Sequence, residues 1–258
     1  MINKDNHTYR IGLAEELRML QTVLDKHRVE KKSLGAIDNA IRRLKDKTHL
    51  PLATPISWGY TIKGFIININ VSDSIQYPKM IKEVSLNFGI DVKGEFYDYK
   101  KEIRDPFKHL EFNLVIEGKS RRGKEHILSY HLDRHIEGGN PTKEVHPIYH
   151  FQMGGRKLGS YKSDGRNFGN QLILDNPRFM HYPMDFITGL DFAISNFDSE
   201  LWAKLKKEPF YIKVLKKSQE RTIKPFIASL ASHFGFHDLK NDWNTTDICP
   251  QIIWISQN

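Results

Sequence analysis

Apolar residues recur at helical spacing near the start of the chain, between residues 11 and 48. Charged residues separate them, which is the pattern of amphipathic helices with one buried face. A second helical stretch is expected after Ser33, a residue type that favours the N-cap position. Pro51 and Pro55 end the helical pattern and open an extended segment. The apolar positions that predict this helical pair are Leu13, Leu17, Leu20, Val23, Leu24, Leu34, Ile37, Ile41 and Leu44.

The middle of the chain, residues 57 to 175, has the pattern of β-structure. Its segments alternate or run apolar and are rich in β-branched residues, and Gly94 and Gly118 follow two of them as turn signals. A stretch rich in Gly, Ser, Lys and Arg at 154–171 has the composition of a long loop. The predicted strands lie at 58–71, 84–92, 110–116, 125–137 and 145–153.

Helical patterns return after Pro183, where an apolar helix is predicted. Beyond it, the segments 210–215 and 226–234 fit either further helices or a strand followed by a helix, and the tail at 251–256 fits a last short strand. The order of elements predicts an α+β fold. In this fold an antiparallel sheet of about five to six strands forms the central region, flanked by the N-terminal helical pair and by C-terminal helices.

The change of pattern near residue 50 divides the chain into two predicted units. Residues 1–50 form a helical segment for docking or packing, and residues 51–258 form an α+β domain. Basic residues are frequent on the polar surface of the helical pair at 11–48. This segment is therefore a candidate docking element for a protein partner, in which case the chain works inside a larger complex.

Composition narrows the class of protein. The single cysteine, Cys249, excludes an intramolecular disulfide framework and a cysteine-based zinc cluster. No apolar run has the length of a membrane span, and the polar residues 1–10 lack the apolar core of a secretory signal. These features predict a cytoplasmic protein with no membrane partner. The formal net charge of +8 and the pI near 9.3 favour nucleic acid or nucleotides as partners, although many basic proteins bind no polyanion.

The strand predicted at 125–137 has an unusual polar face. Read with a period of two, one side carries apolar residues such as Tyr130 and Leu132 and belongs to the core. Solvated strand faces usually carry Thr, Lys, Glu, Arg or Ser, and Asp is depleted in strands. The composition of the other side therefore favours a functional site over a plain polar face. That side presents His131, Asp133, His135 and Glu137 in a line.

The strand predicted at 145–153 repeats this arrangement. Tyr149 belongs to its apolar side, while Gln152 shares the polar side with two histidines. The residues at 138–141, Gly-Gly-Asn-Pro, suit a hairpin loop and predict antiparallel pairing of the two strands. The hairpin at 125–153 would then bring together His131, Asp133, His135, His146 and His150.

Two kinds of chemistry fit this face. Neutral imidazoles and a carboxylate are ligands for Zn²⁺, Mn²⁺ or Fe²⁺, and such a metal can activate a bound water. Without a metal, two histidines can act as general base and general acid on a phosphodiester, with an aspartate orienting one ring. The candidate metal ligands are His131, Asp133, His135, His146 and His150, and the candidate catalytic residues are His131, Asp133, His135 and His150.

Basic side chains near the hairpin are candidates for holding phosphate groups. Arg178 could clamp an anion and His181 could join the site; the alternative is that this segment only shapes a turn before a helix that starts at Asp185. The candidate phosphate-binding residues are Arg121, Arg122, Arg156 and Arg178, and the additional candidates for the site are His181, Gln152 and Glu137.

These features together favour an enzyme, namely a nuclease-like phosphodiester hydrolase that acts on nucleic acid through the His/Asp-rich hairpin. The alternative is a non-catalytic module that binds nucleic acid or protein inside a larger complex, in which the histidines are structural. The order of His131, Asp133 and His181 also matches a 2-His-1-carboxylate iron triad, an order that a chain with 12 histidines easily meets by chance.

Overall fold

The computed structural model describes the residues 4–27, 29–46, 55–69, 81–98, 101–120, 125–134, 146–154, 179–236, 240–243 and 248–249. Within these ranges the chain forms five helices and one six-stranded antiparallel sheet, which confirms the predicted α+β fold. The helices are α1 (Lys4–Lys26), α2 (Lys31–Lys45), α3 (Phe186–Phe197), α4 (Ser199–Leu205) and α5 (Pro209–His233). The strands are β1 (Ser57–Ile69), β2 (Ile81–Glu95), β3 (His109–Ser120), β4 (Glu125–Arg134), β5 (Tyr149–Met153) and β6 (Phe179–Met180).

The sheet is a meander in which each strand pairs with the next one along the chain. Alternate side chains point to opposite faces, and the apolar set packs with the helices into one buried cluster. Members of this cluster include Leu17, Ile37, Tyr60, Phe88, Phe112, Leu132 and Leu190. The opposite face, called the outer face below, carries Lys63, Asp91, Lys93, His109, Glu111, Asn113, His131, Asp133, His150 and Gln152.

A β-bulge in β1 keeps the apolar residues of this long strand on the core face. The pairing of β1 with β2 shifts between Lys63 and Phe65, and Gly64 between them has a φ of +68°. The extra residue moves the buried positions from even numbers, such as Ile62, to odd numbers, such as Phe65. Glycine suits this position because residues with a side chain rarely adopt a positive φ.

Helix α2 covers the sheet edge formed by β1. The Ser33 hydroxyl accepts a hydrogen bond from the Ile66 N–H at 2.9 Å and donates one to the Ile66 carbonyl at 2.8 Å. These bonds satisfy backbone groups that face away from β2. The prediction that Ser33 caps the helix was wrong, because α2 already begins at Lys31 and the serine side chain bonds the strand instead.

Helix α5, at 25 residues the longest of those described, runs unbroken through both segments predicted after Pro209. The helical alternative is therefore confirmed for them. Pro225 lies inside the helix although proline removes a backbone hydrogen bond there, and its side chain is buried. No helix in the described ranges combines the length and the apolar character needed to cross a membrane. The strand predicted at 251–256 lies outside the described residues.

A buried ion network connects α1 with α5 and with the start of α3. Arg221 contacts Glu16 at 3.0 Å (Nη1–Oε2) and Asp185 at 2.6 Å (Nη2–Oδ2). Asp185 is also the N-cap of α3, where it accepts hydrogen bonds from two backbone amides of the first turn. Burial alone would raise the pKa of Asp185, but the Arg221 charge and a hydrogen bond from Ser218 hold it below its ordinary value. The division of the chain near residue 50 stays a prediction.

Candidate metal centre

The two strands that carry the predicted histidine face, β4 and β5, pair directly with each other. Asp133 lies opposite His150, and His131 lies opposite Gln152. Opposed side chains of an antiparallel pair point to the same face, so all four lie on the outer face. The antiparallel pairing predicted from the loop composition is confirmed. Strand β5 begins at Tyr149, later than the sequence pattern indicates, and the residues 135–137 predicted for the preceding strand lie outside the described residues.

Three of these side chains bring potential metal ligands together. His131, Asp133 and His150 each offer one ligand atom, and these atoms lie within 4.8 Å of one another. Within this group, His131 Nε2 lies 3.7 Å from Asp133 Oδ2. Ligands at about 2.1 Å from a tetrahedral metal lie about 3.4 Å apart. The distance between His131 and Asp133 is close to this spacing, and the group as a whole is wider than it.

The histidines of this group are buried rather than solvated. His131 and His150 are each 6% exposed, and the Asp133 side chain is 24% exposed. Gln152, opposite His131, is equally buried. These values do not fit the fully solvated strand face that was the simplest alternative interpretation.

His146 lies three residues before the start of β5, and its ring packs against the ring of His150. The two ring centroids are 4.4 Å apart and the ring planes are nearly perpendicular, at 87°. Among the described residues, His146 is not a member of the group whose ligand atoms lie within 4.8 Å.

His181 lies on the other side of the sheet. Its ring stacks on Phe151 at a centroid distance of 5.2 Å, and Phe151 directly follows His150 in β5, so it points to the core face. The His181 Nδ1 atom lies 2.7 Å from the Tyr182 carbonyl oxygen. Burial lowers the pKa of His181, although the Tyr182 carbonyl acts in the opposite direction. The structure therefore does not bring His181 to the outer-face group.

Other predicted site residues lie outside the described residues, so their roles stay predictions. They include two members of the predicted polar face and all four arginines predicted to bind phosphate. These residues are His135, Glu137, Arg121, Arg122, Arg156 and Arg178.

Strand β3 adds two polar side chains that the sequence reasoning missed. Glu111 lies opposite Asp133, and Asn113 lies opposite His131. Both alternate with the buried residues of β3, so a period-two reading of residues 110–116 would have assigned them to a polar face. The loop at 118–123 predicts a hairpin between this strand and the next one, but not the register that places Glu111 opposite Asp133.

A buried network on the core side supports the same hairpin. Arg134 lies opposite Tyr149 in the β4–β5 register, directly beside the pair formed by Asp133 and His150. Arg134 Nε donates to Asp105 Oδ2 at 2.8 Å, and the Tyr149 hydroxyl donates to Asp105 Oδ1. Burial raises the pKa of Asp105, although the charge of Arg134 and these hydrogen bonds act against the rise.

Comparisons of the chain with protein-family models, with curated proteins and with solved structures found no match. The function is therefore inferred from the chemistry of the site. Two imidazoles and one carboxylate are a ligand set of hydrolytic zinc sites, which leave a further position for water, and also of non-haem iron sites. In this chain, the potential ligand atoms that lie near those of His131 and Asp133 belong to His150 and not to His181.

Proposed function

We propose that this chain is a metal-dependent phosphodiester hydrolase that acts on nucleic acid, and that His131, Asp133 and His150 hold the metal. The observation that carries the proposal is the convergence of their ligand atoms to within 4.8 Å on two adjacent strands. Zinc, manganese and iron are all metals that such a ligand set accepts.

The surroundings of the group suit hydrolysis. A metal with three protein ligands keeps a coordination position for water and lowers the pKa of that water to about 7 in zinc hydrolases. The burial of His131 and His150 lowers the local polarity, which strengthens the attraction between the metal and the charged oxygens of a phosphodiester. Asp133 contributes a negative charge that offsets part of the metal charge.

The outer face also offers positive charge for a polyanionic substrate. Lys63 lies in the same cross-strand row as His131, three strands away, which corresponds to about 14 Å between backbones. Lys93 lies on the same face, and both lysines are exposed. Together with the net charge of +8, they support nucleic acid as the substrate. The cytoplasmic location expected from the sequence stays a prediction.

The test combines metal analysis with a cleavage assay. The variants His131→Ala and His150→Ala remove ligands, and His126→Ala is the matched control, because it lies in β4 with the parity of the opposite face. We expect stoichiometric metal in the wild type and in the control, and its loss in the ligand variants. Cleavage of labelled single-stranded RNA or DNA should be abolished by a chelator and restored by added metal.

Thermal unfolding gives a second measurement. A metal present at 100 times its Kd stabilises the folded state by about 2.7 kcal/mol. For a chain of this size, 1 kcal/mol shifts the Tm by about 2–4 °C. Added metal should therefore raise the Tm of the wild type by about 5–11 °C, and it should not change the Tm of His131→Ala.

Other results would contradict the proposal in distinct ways. Cleavage that resists the chelator but is lost in His131→Ala would indicate histidine acid/base catalysis without a metal. Binding of RNA or DNA without cleavage, unchanged in His131→Ala and His150→Ala, would indicate the non-catalytic binding module. Binding of metal without cleavage, combined with oxygen-dependent chemistry, would favour the iron alternative.

A further inference from the structure

Glu111 of β3 lies beside the proposed metal ligands. It is paired directly with Asp133, which in turn is paired with His150, so the three residues form one row across β3, β4 and β5. Opposed residues of this kind have Cβ atoms about 4.5–5.5 Å apart and share a face of the sheet. The side chain of Glu111 therefore projects from the same face as the proposed ligands, next to Asp133.

Glu111 differs from the other carboxylates of this row in its surroundings. Asp91, the next residue of the row on β2, accepts a hydrogen bond from Thr61 at 2.9 Å and lies 3.5 Å from His109 Nε2. Asp133 lies 3.7 Å from His131 Nε2. Within the described parts of the chain, Glu111 forms neither a hydrogen bond nor an ion pair through its exposed side chain.

Two carboxylates directly opposed across an antiparallel pair repel each other and destabilise the sheet. A cation beside Asp133 would turn this repulsion into attraction. Glu111 is thus placed where a carboxylate lowers stability in the absence of a ligand and gains a chemical role in its presence.

We infer that Glu111 is the general base of the hydrolysis, an inference that rests on the proposed function. Its carboxylate would take a proton from the attacking water, which a metal held by His131, Asp133 and His150 would polarise, while the water oxygen forms a new bond to phosphorus. The bond between phosphorus and the leaving oxygen breaks, and that oxygen takes a proton from solvent water. The net reaction adds one water across the phosphodiester bond, and the proton on Glu111 is returned to solvent.

The test substitutes Glu111→Gln, which keeps the size of the side chain and removes the basic oxygen. General base catalysis contributes about 10²–10⁴-fold to the rate, so kcat for cleavage of labelled RNA or bis(p-nitrophenyl) phosphate should fall by that factor. Metal content and the Kd for uncleaved RNA should stay at the wild-type values. Glu117→Gln is the matched control, because it makes the same change on the same face of β3, six residues away, and it should cleave at the wild-type rate.

Each other outcome overturns a defined part of the inference. If Glu111→Gln cleaves within threefold of the wild type, Glu111 is not the base and the metal-dependent hydrolase stands. If Glu111→Gln loses its metal, Glu111 is a ligand and the assignment as base is wrong. If the wild type binds metal but cleaves none of these probes, the proposed function fails and the role of Glu111 fails with it.

Discussion

Replacing Arg221 with methionine should lower the free energy of unfolding by about 3–5 kcal/mol, because the change leaves buried charges without their counter-ion. The guanidinium lies 3.0 Å from Glu16 and 2.6 Å from Asp185. The side chains of these carboxylates are only 7% and 2% exposed, so water does not replace the lost cation. Methionine keeps much of the side-chain volume, which limits the contribution of a cavity.

The contacts that remain after the substitution explain why the loss in the free energy of unfolding should be smaller than the sum for two broken ion pairs. Asp185 keeps the hydrogen bond from Ser218 and those from the first turn of α3. Glu16 keeps Lys217, whose Nζ lies 3.6 Å from Oε1. Both carboxylates therefore retain part of their stabilisation after the substitution, and we expect the range typical of one broken buried pair.

The difference in the free energy of unfolding between the wild type and Arg221→Met should become smaller in acid. In the wild type, burial alone would raise the pKa of Asp185, but Arg221 and Ser218 hold it below the ordinary value of 3.8. Its contribution is therefore complete above that ordinary value and is lost as the pH falls through the lower folded pKa. Without Arg221, burial raises the pKa of Asp185 in the folded state. As the pH falls from about 7 towards 4, Asp185 becomes protonated, and the variant no longer contains this uncompensated buried charge.

Urea unfolding, followed by circular dichroism at about pH 7 and at about pH 4, measures the free energy of unfolding of the wild type and of Arg221→Met. Lys217→Met is the matched control, because it removes a charge from the same helix at a side chain that is 48% exposed, and it should change the stability by less than about 1 kcal/mol. A loss below about 1 kcal/mol for Arg221→Met at pH 7 would refute the reasoning, since a broken buried pair costs more. A deficit that grows in acid would refute it as well.

Three further substitutions test the framework of the sheet by urea unfolding. Gly64→Ala should lower the free energy of unfolding by about 1–2 kcal/mol, because a side chain is strained at this φ although the space beside it is open. A variant as stable as the wild type would contradict the positive φ at the bulge. Ser33→Ala should cost about 1–3 kcal/mol, because the backbone groups of Ile66 lose their partner. Tyr149→Phe should cost a similar amount, about 1–3 kcal/mol, because the buried carboxylate of Asp105 loses a donor, and an unchanged midpoint for either variant would contradict its hydrogen bond.

Local patterns were enough to predict the class of fold, because each long strand or helix buries one face and repeats its apolar residues at the matching period. They failed where a distant contact decides the outcome. Ser33 has the chemistry of a helix cap, but it bonds to β1, which follows later in the chain. The sequence also left open whether the segments at 210–215 and 226–234 are helical. Pro225 lies between them, and it is buried within the continuous helix α5, where tertiary packing outweighs the local preference of proline.

The candidate site could be predicted in part for the same reason. Alternation assigned His131 and Asp133 to one face, and the hairpin loop indicated that His150 would join them. Glu111 could not be included, because nothing local to β3 shows that it pairs with β4 in the register that places it opposite Asp133. His181 was a plausible member by sequence distance, and only the side of β5 on which it packs excludes it from this group.

The register in which β4 pairs with β5 determines the positions of side chains on both faces of the sheet. A slip of one residue would turn His131 towards the core, because neighbouring side chains of a strand point to opposite faces. On the core side, Asp105 accepts hydrogen bonds from both Arg134 and Tyr149, which are opposed to each other. A slipped register would separate these two donors and break at least one bond to a buried carboxylate. The network behind the sheet therefore keeps Asp133 opposite His150, although it shares no side chain with the proposed metal site.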